Sequence, residues 1–285
     1  MISLKSVTFG SDAEVFLKSL AGAPIPVCGM VGGTKDNPKP LRPDVMKGFF
    51  IQEDNAALEY NIPAEHSRTN FIANMVAAQR EIKKLLGKAF ELDYERASVV
   101  FQDEYLQIPE MGVFGCEPDY NAWKMTTNDA PRPPVPGFRS ASAHIHIGWD
   151  DPNDEDRFEL IRLSDTFVVL PALKRENETD TQRRQLYGKA GAFRPKGYGI
   201  EHRVLSNRWI ANQGEMHRTL CDYQTAIAAL NAGVKISEGD YDKVQEAINT
   251  PQTKLAELLY KKYVDKLYSV LPKSFRWSDY FDIFA

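Results

Sequence analysis

The stretch Tyr187 to Arg203, YGKAGAFRPKGYGIEHR, constrains this chain more than any other. Its last residues, Gly-Ile-Glu-His-Arg, run into Val204 and Leu205 and read as a strand. Side chains alternate across a strand, so Glu201 and Arg203 share one face and His202 takes the other. A carboxylate beside a guanidinium suits a cation bridged to a phosphate: the acid holds the ion and the fork takes the oxygens. From Arg183 to Arg208 the cations are Arg183, Arg184, Lys189, Arg194, Lys196, Arg203 and Arg208, and Glu201 is the only acid. In a chain of formal net charge −4, that local excess asks for an anion. Solvated cations around one ion pair would explain the charge. They would not explain glycines at 188, 191, 197 and 199, which let a backbone approach a ligand closely.

At 285 residues with 43% hydrophobic side chains, the chain can bury a large core and is expected to fold as one unit over residues 1–285. A sheet-rich part, 1–208, precedes a helical part, 209–285. The net charge gives no reason to expect a nucleic-acid surface. Apolar runs such as Thr166–Leu173 are too short to cross a bilayer, so no membrane association is expected. Cys28, Cys116 and Cys221 are far apart and form no C-x-x-C pair, which points to free thiols in a reducing compartment, the cytoplasm by default.

Further acids and imidazoles fall on segments with strand character. Residues 5–17 read as a strand interrupted at Gly10-Ser11, with Asp12 and Glu14 on one face. Carboxylates two apart in an apolar strand are costly unless a cation or an arginine neutralises them. Val31-Gly32-Gly33-Thr34-Lys35 has the look of a phosphate loop but not its G-x-x-x-x-G-K-[ST] spacing, and reads as a turn. A hairpin over 49–62, turning near Glu53-Asp54 and Asn55, carries Glu59 on the face of Ala57 and Asn61. Pro63 should end that strand, and Ser67 or Thr69 should cap a helix to Leu86 with a stripe of Phe71, Met75, Ile82, Leu85 and Leu86. Val99–Phe101 and Leu106–Ile108 read as short strands. Residues 113–123 form an aromatic-rich loop, and 131–137, PRPPVPG, a stiff connector or lid. Ser142–Trp149 is an apolar strand with His144 and His146 on one face. Asp151–Asp156 opens a helix to Leu173, its acids at the favourable end. Helices are expected over 210–231, 239–249 and, started by Thr250-Pro251, to Leu271. An aromatic tail, 277–284, should dock on the body.

Asp12, Glu14, Glu59, His144, His146 and Glu201 are therefore candidate cation ligands, and Lys189, Arg194 and Arg203 candidate anion clamps. Oxygen-rich ligation with one or two imidazoles favours Mg²⁺ or Mn²⁺ over zinc. Hard divalent ions beside arginines fit phosphoryl transfer from a nucleotide. No G-x-S-x-G nucleophile signature is present.

Five segments in order, GSDAEVF, DNAALEYNIPAE, FGCEPDYNAW, ASAHIHIG and YGKAGAFRPKGYGIEHRVLSN, resemble the phage-type carboxylate–amine (COOH–NH2) ligases, type 2, relatives of glutamine synthetase and glutamate–cysteine ligase. The resemblance spans roughly residues 8 to 210. It implies an α+β fold: a curved, mainly antiparallel sheet with helices on its convex side, the concave face holding ATP and divalent ions. ATP would phosphorylate a substrate carboxylate, and an amine would displace the phosphate to form an amide or peptide-like bond. By motif, Asp12, Glu14, Glu59, His144 and Glu201 resemble metal ligands. His146, Lys189, Arg194 and Arg203 resemble nucleotide contacts, with Arg203, Arg194 and Glu201 closest to the chemistry. Asp12 stands where better-known relatives place Glu.

Arg139, Arg68 and Asn55 are offered as carboxylate or substrate contacts from type and location. The substrates implied are a small-molecule or peptide carboxylate and an amine, in the host cytoplasm if the gene is phage-borne. The C-terminal helices can pack internally or build a homo-oligomer. A phosphotransferase like the guanidino kinases, or a phage accessory protein that only binds nucleotide, are the alternatives. Glu201→Gln and Arg203→Ala are expected to stop turnover with little change in ligand-free melting.

Overall fold

The computed structural model describes residues 2–3, 6–112, 118–272 and 274–275. The loop residues 113–117, with Cys116, and the tail 276–285 lie outside the described residues.

The fold is α+β. Among the described residues, eleven strands form one antiparallel sheet. Six of them carry the polar residues of interest: β1 (Thr8–Ser19), β2 (Phe50–Asp54), β3 (Ala57–Glu65), β4 (Ala143–Gly148), β5 (Ala192–Lys196) and β6 (Gly199–His202). Their spatial order is β2-β3-β1-β4-β6-β5, flanked by Lys39–Pro40 at one edge and Tyr120–Asn121 and Thr126–Thr127 at the other. The N-terminal strand is thus central. β1 runs without interruption through Gly10-Ser11, and the irregularity there is a register shift against β3 between Phe9 and Ser11. β3 continues through Pro63 to Glu65. Its pairing with β2 stops at Asn61, so no ladder bond to that neighbour is lost at the proline.

Alternation gives the sheet two unlike faces. Phe9, Val15, Leu58, Tyr60, Ile145, Ile147 and Ile200 are buried, and with helix residues they make one apolar cluster. α1 (Arg68–Leu86) packs there through Phe71, Met75, Ala78 and Ile82, while Leu85 is exposed. Ser67 caps it, its Oγ accepting from the Asn70 N–H at 3.2 Å. Between β4 and β5, α2 (Asp154–Ser164) passes into a π-turn, Asp165–Val169, before Pro171. A proline cannot donate to the carbonyl four residues back, and a widened turn just ahead of it accommodates that loss. The large apolar cluster also takes in α3 (Gln213–Asn231), α4 (Tyr241–Asn249) and α5 (Thr253–Val270) through Tyr223, Val244, Leu259 and Tyr263. α5 is capped at Gln252, so Pro251 lies before the helix rather than in its first turn.

Leu106 lies in a 3₁₀ turn, Tyr105–Gln107, not in a strand, whereas Ser98–Val100 pairs with Phe138–Ser140. Phe16, Ala57, Val99, Phe101, Met111 and Ala141 form a second, smaller apolar cluster.

Candidate active site

The polar face of the sheet is built by cross-strand pairing. Asp12 on β1 lies opposite His144 on β4, and Glu14 opposite Glu59 on β3. Farther across, His146 pairs with Glu201 on β6, which pairs with Arg194 on β5. Opposed residues on one face have Cβ atoms only about 5 Å apart, so this register forces acids, imidazoles and cations together.

They fall into two groups. In the first, Asp12 Oδ1 lies 3.2 Å from His144 Nδ1 and 3.1 Å from His146 Nε2. His144 Nδ1 is 3.7 Å from Glu201 Oε1. Asp12, His146 and Glu201 each present a ligand atom within 4.8 Å of the others. In the second, Glu14, Asp54 and Glu59 do the same. Gln52 donates to Glu59 Oε2 at 3.0 Å, and the Ser142 N–H donates to Glu14 Oε2 at 2.7 Å.

Cations close the first group. Glu201, 1% exposed, contacts Arg203 through Oε1, Lys196 Nζ at 2.7 Å and Arg194 Nη1 at 3.7 Å. Arg203 Nε in turn lies 3.4 Å from Asp119 Oδ2. The Tyr198 hydroxyl contacts His146 Nδ1.

These surroundings split the acids electrostatically. Burial and Asp12 push the Glu201 carboxyl up, but His144, Arg203 and Lys196 prevail and hold it at about 2. Burial also works against ionised Asp12, yet His144 and His146 keep it well below the carboxylate range. The second group goes the other way. Burial, then Asp12 and Asp54, raises Glu59 to about 8. Burial, then Asp54 and Glu59, raises Glu14 well above its usual value. Burial and Arg203 lower His144, whereas Asp12 outweighs burial and raises His146.

The residues fit a hard divalent ion. Asp12 Oδ1 lies between His144 Nδ1 and His146 Nε2, and Asp12, His146 and Glu201 converge their ligand atoms on one point, where a cation would meet oxygen and nitrogen donors together. Carboxylate oxygens with one or two imidazoles, and no thiolate, suit Mg²⁺ or Mn²⁺.

The cation excess of Arg183–Arg208 resolves into parts. Buried Arg183 donates to Ser142 Oγ at 2.7 Å and to the Val204 and Arg203 carbonyls at 2.9 and 3.2 Å, tying β4 to the chain beyond β6. Arg184 pairs with Glu176, and Arg208 with Asp180 at 3.1 Å. Arg194, Lys196 and Arg203 are the ones that face Glu201. Lys189 is exposed and lines an adjoining cavity. Two of the glycines serve internal packing rather than a ligand. A Cβ on Gly191, at φ +77°, would sit 2.6 Å from the Trp123 ring, and one on Gly199, at φ +152°, 2.1 Å from the Ile147 oxygen.

Three residues expected to contact substrate lie apart from the Glu201 group. Arg139 is buried in the two-stranded ribbon and donates to the Pro136 and Phe138 carbonyls at 2.8 Å and to that of Met111. Arg68 is on the helical side, with Nη1 3.0 Å from Gln224 Oε1. Asn55, at φ +53°, makes the β2–β3 turn beside Asp54. The diglycine turn is no phosphate loop: the Gly29, Val31 and Gly32 N–H groups donate to the Glu53 carboxylate at 2.7, 2.8 and 2.7 Å.

Asp54, Lys196, Tyr198 and Asp119 join the site without having been singled out by the sequence. Alternation of Gln52 and Asp54 with Glu59 across the hairpin, and of Arg194 with Lys196, could have found the first two. Asp119 sits in a loop with no period to read.

A crystal structure described as that of a novel glutamine synthase homolog matches at 11% identity over 98% of this chain and 70% of that one, with TM-score 0.33. At that score the likeness adds nothing to the topology. No curated protein matches the chain. The family model "Phage phiEco32-like COOH.NH2 ligase-type 2" matches residues 128–283, more than half of the chain. That span holds His144, His146, Arg194, Glu201 and Arg203 and runs on through the C-terminal helices, beyond the motifs read from the sequence. It leaves out β1 to β3. With its imidazoles, acid and arginines inside the matched span, the chain belongs to the phage phiEco32-like COOH.NH2 ligase-type 2 family.

Proposed function

We propose that this chain is an ATP-dependent carboxylate–amine ligase using Mg²⁺ or Mn²⁺, which phosphorylates a carboxylate before an amine displaces the phosphate. One observation carries the reading: a single sheet face gathers Asp12, Glu14, Glu59, His144, His146 and Glu201 beside Arg194, Lys196 and Arg203. A free carboxylate is a poor acyl donor, and a phosphoryl group gives it something to expel. Charge is the obstacle, because carboxylate and triphosphate repel each other.

In this reading Asp12 and Glu201, with His144 or His146, hold one divalent ion, and Glu14, Asp54 and Glu59 hold another. Bound there, the ions draw negative charge from phosphate oxygens. Arg194, Arg203 and Lys196 clamp the transferring phosphoryl group, and whichever of His144 and His146 is not a ligand contacts the triphosphate. Glu201 keeps the arginines aimed at the reacting group. Glu14 and Glu59 must shed protons before they can ligate, so cation binding should release protons.

The test is ADP formation from ATP and Mg²⁺ with a cell small-molecule extract, followed by mass spectrometry for condensed products. Amine-dependent ADP release with an amide product is expected. ADP release indifferent to amine, ending in a phosphorylated acid, would make the protein a phosphotransferase. No calorimetric binding of ATP with Mg²⁺ would leave a protein without this chemistry.

A further inference from the structure

Beside the polar face lies a cavity of about 200 Å³, walled by the Asp119–Asp129 segment, the Tyr187–Lys189 turn and the end of α4. Asp119 belongs to both: it lines the cavity, and its Oδ2 is 3.4 Å from Arg203 Nε. The Asn128 amide donates to Asp119 Oδ1 at 2.7 Å and fixes it there. Asn121 Oδ1 accepts the Trp123 and Lys124 N–H groups at 2.9 and 3.1 Å, setting the turn that carries Lys124. Asn249 accepts the Ala190 N–H at 2.8 Å and brings α4 into the wall. Lys124, Lys189 and Asp129 are exposed there, and none makes an ion pair among the described residues.

Sites that enclose drug-sized molecules run to several hundred Å³, so this cavity is too small for a nucleotide. Its rim carries both signs, two lysines and two aspartates, with amides between them. The small ligand that matches both signs is a zwitterion.

We propose that this cavity is the acceptor subsite and that the acceptor is a free amino acid, its carboxylate held by Lys124 and Lys189 and its amine by Asp119. The inference rests on the ligase reading. The amino acid enters as an ammonium. The Asp119 carboxylate takes one proton, and the freed nitrogen lone pair attacks the carbonyl carbon of the acyl phosphate. As the C–N bond forms, the bond from that carbon to the bridging oxygen breaks, and the oxygen leaves on phosphate with the electron pair. The nitrogen's second proton goes to the departing phosphate, and Asp119 returns its proton to water.

Ligand-observed NMR on the full chain with Mg²⁺ and a non-hydrolysable ATP analogue tests this, using the common amino acids and matched amines such as methylamine and ethylamine. Binding of at least one amino acid and of none of the amines is expected. K124Q/K189Q should weaken that binding about tenfold, the effect of losing charge-assisted contacts at an open rim, and K124Q alone should weaken it while leaving the analogue's calorimetric affinity unchanged. Amino acids failing to bind while the analogue binds would overturn the inference and leave the ligase reading standing. Amines binding as well as amino acids, or full amino-acid affinity in the double variant, would also overturn it. Loss of analogue binding in the double variant would assign the lysines to the triphosphate instead. If wild type bound neither ligand, both readings would fall together.

Discussion

Glu201 and Glu59 are carboxylates on one sheet face, and their surroundings drive them apart. Glu201 is ionised and buried among Arg203, Lys196 and His144. Glu59, raised to about 8 by burial and then by Asp12 and Asp54, keeps its proton at neutral pH. The two should therefore answer differently to the same change. Glu201→Gln removes the anion that offsets buried cations, at a cost of about 3 kcal/mol. Ligand-free melting should drop by roughly 5–10 °C, along with loss of turnover. That revises the expectation of unchanged melting, because a strand pattern gives the face of Glu201 but not its depth. Glu59→Gln mimics the protonated acid and should leave melting at pH 7 within about a degree, while weakening Mg²⁺ binding at least about tenfold by calorimetry. Equal melting losses in the two variants would contradict the split.

At the scale of elements, β6 is held from behind. His202, on the opposite face from Glu201, contacts the Tyr223 hydroxyl through Nδ1 at 2.6 Å and Asp165 Oδ1 through Nε2 at 3.1 Å. Asp165, in the π-turn after α2, also accepts from Trp123 Nε1 and the Gly191 N–H, both at 2.6 Å. One buried carboxylate thus ties β6, the loop before β5 and α2 together. Asp165→Asn would turn an amide donor toward donors and should cost about 2–4 kcal/mol, measured by denaturant midpoint; a change under about half a kcal/mol would mean the network is slack. Period-two alternation makes the faces of β1, β3, β4 and β6 legible from the chain alone, because strand geometry leaves a side chain two directions. Strand ends and helix starts are less legible. Pro63 and Pro251 look like punctuation, but neighbouring pairing and Gln252 decide where those elements stop and start. The Asp165 network carries no signal, since nothing local distinguishes that aspartate from other helix acids. Asp119 is hidden for the same reason, as loop placement depends on what packs around it.

For the molecule as a whole, Glu14, Asp54 and Glu59 make stability depend on pH. Folding raises all three, first through burial. A raised carboxyl contributes its stability in full below its unfolded value and loses it as pH climbs through the folded one. For Glu59 that window runs from about 4.3 unfolded to about 8 folded. Melting temperature in a chelating buffer should fall across it, and saturating Mg²⁺ should flatten the decline by displacing the protons. A level profile without the ion would mean that folding does not raise these three carboxyls.

The central position of β1 carries one more consequence. β1 precedes both of these neighbours in the chain and sits between β3, whose residues come within some fifty positions, and β4, which is more than a hundred positions later. Half of its ladder must wait for a distant partner, and such long-range closure is slow. Until β4 arrives, Asp12 and Glu14 stand on an open edge, available to pair with the wrong strand. Two of the residues proposed here to grip a cation thus wait more than a hundred positions for the strand that closes their side of the ladder.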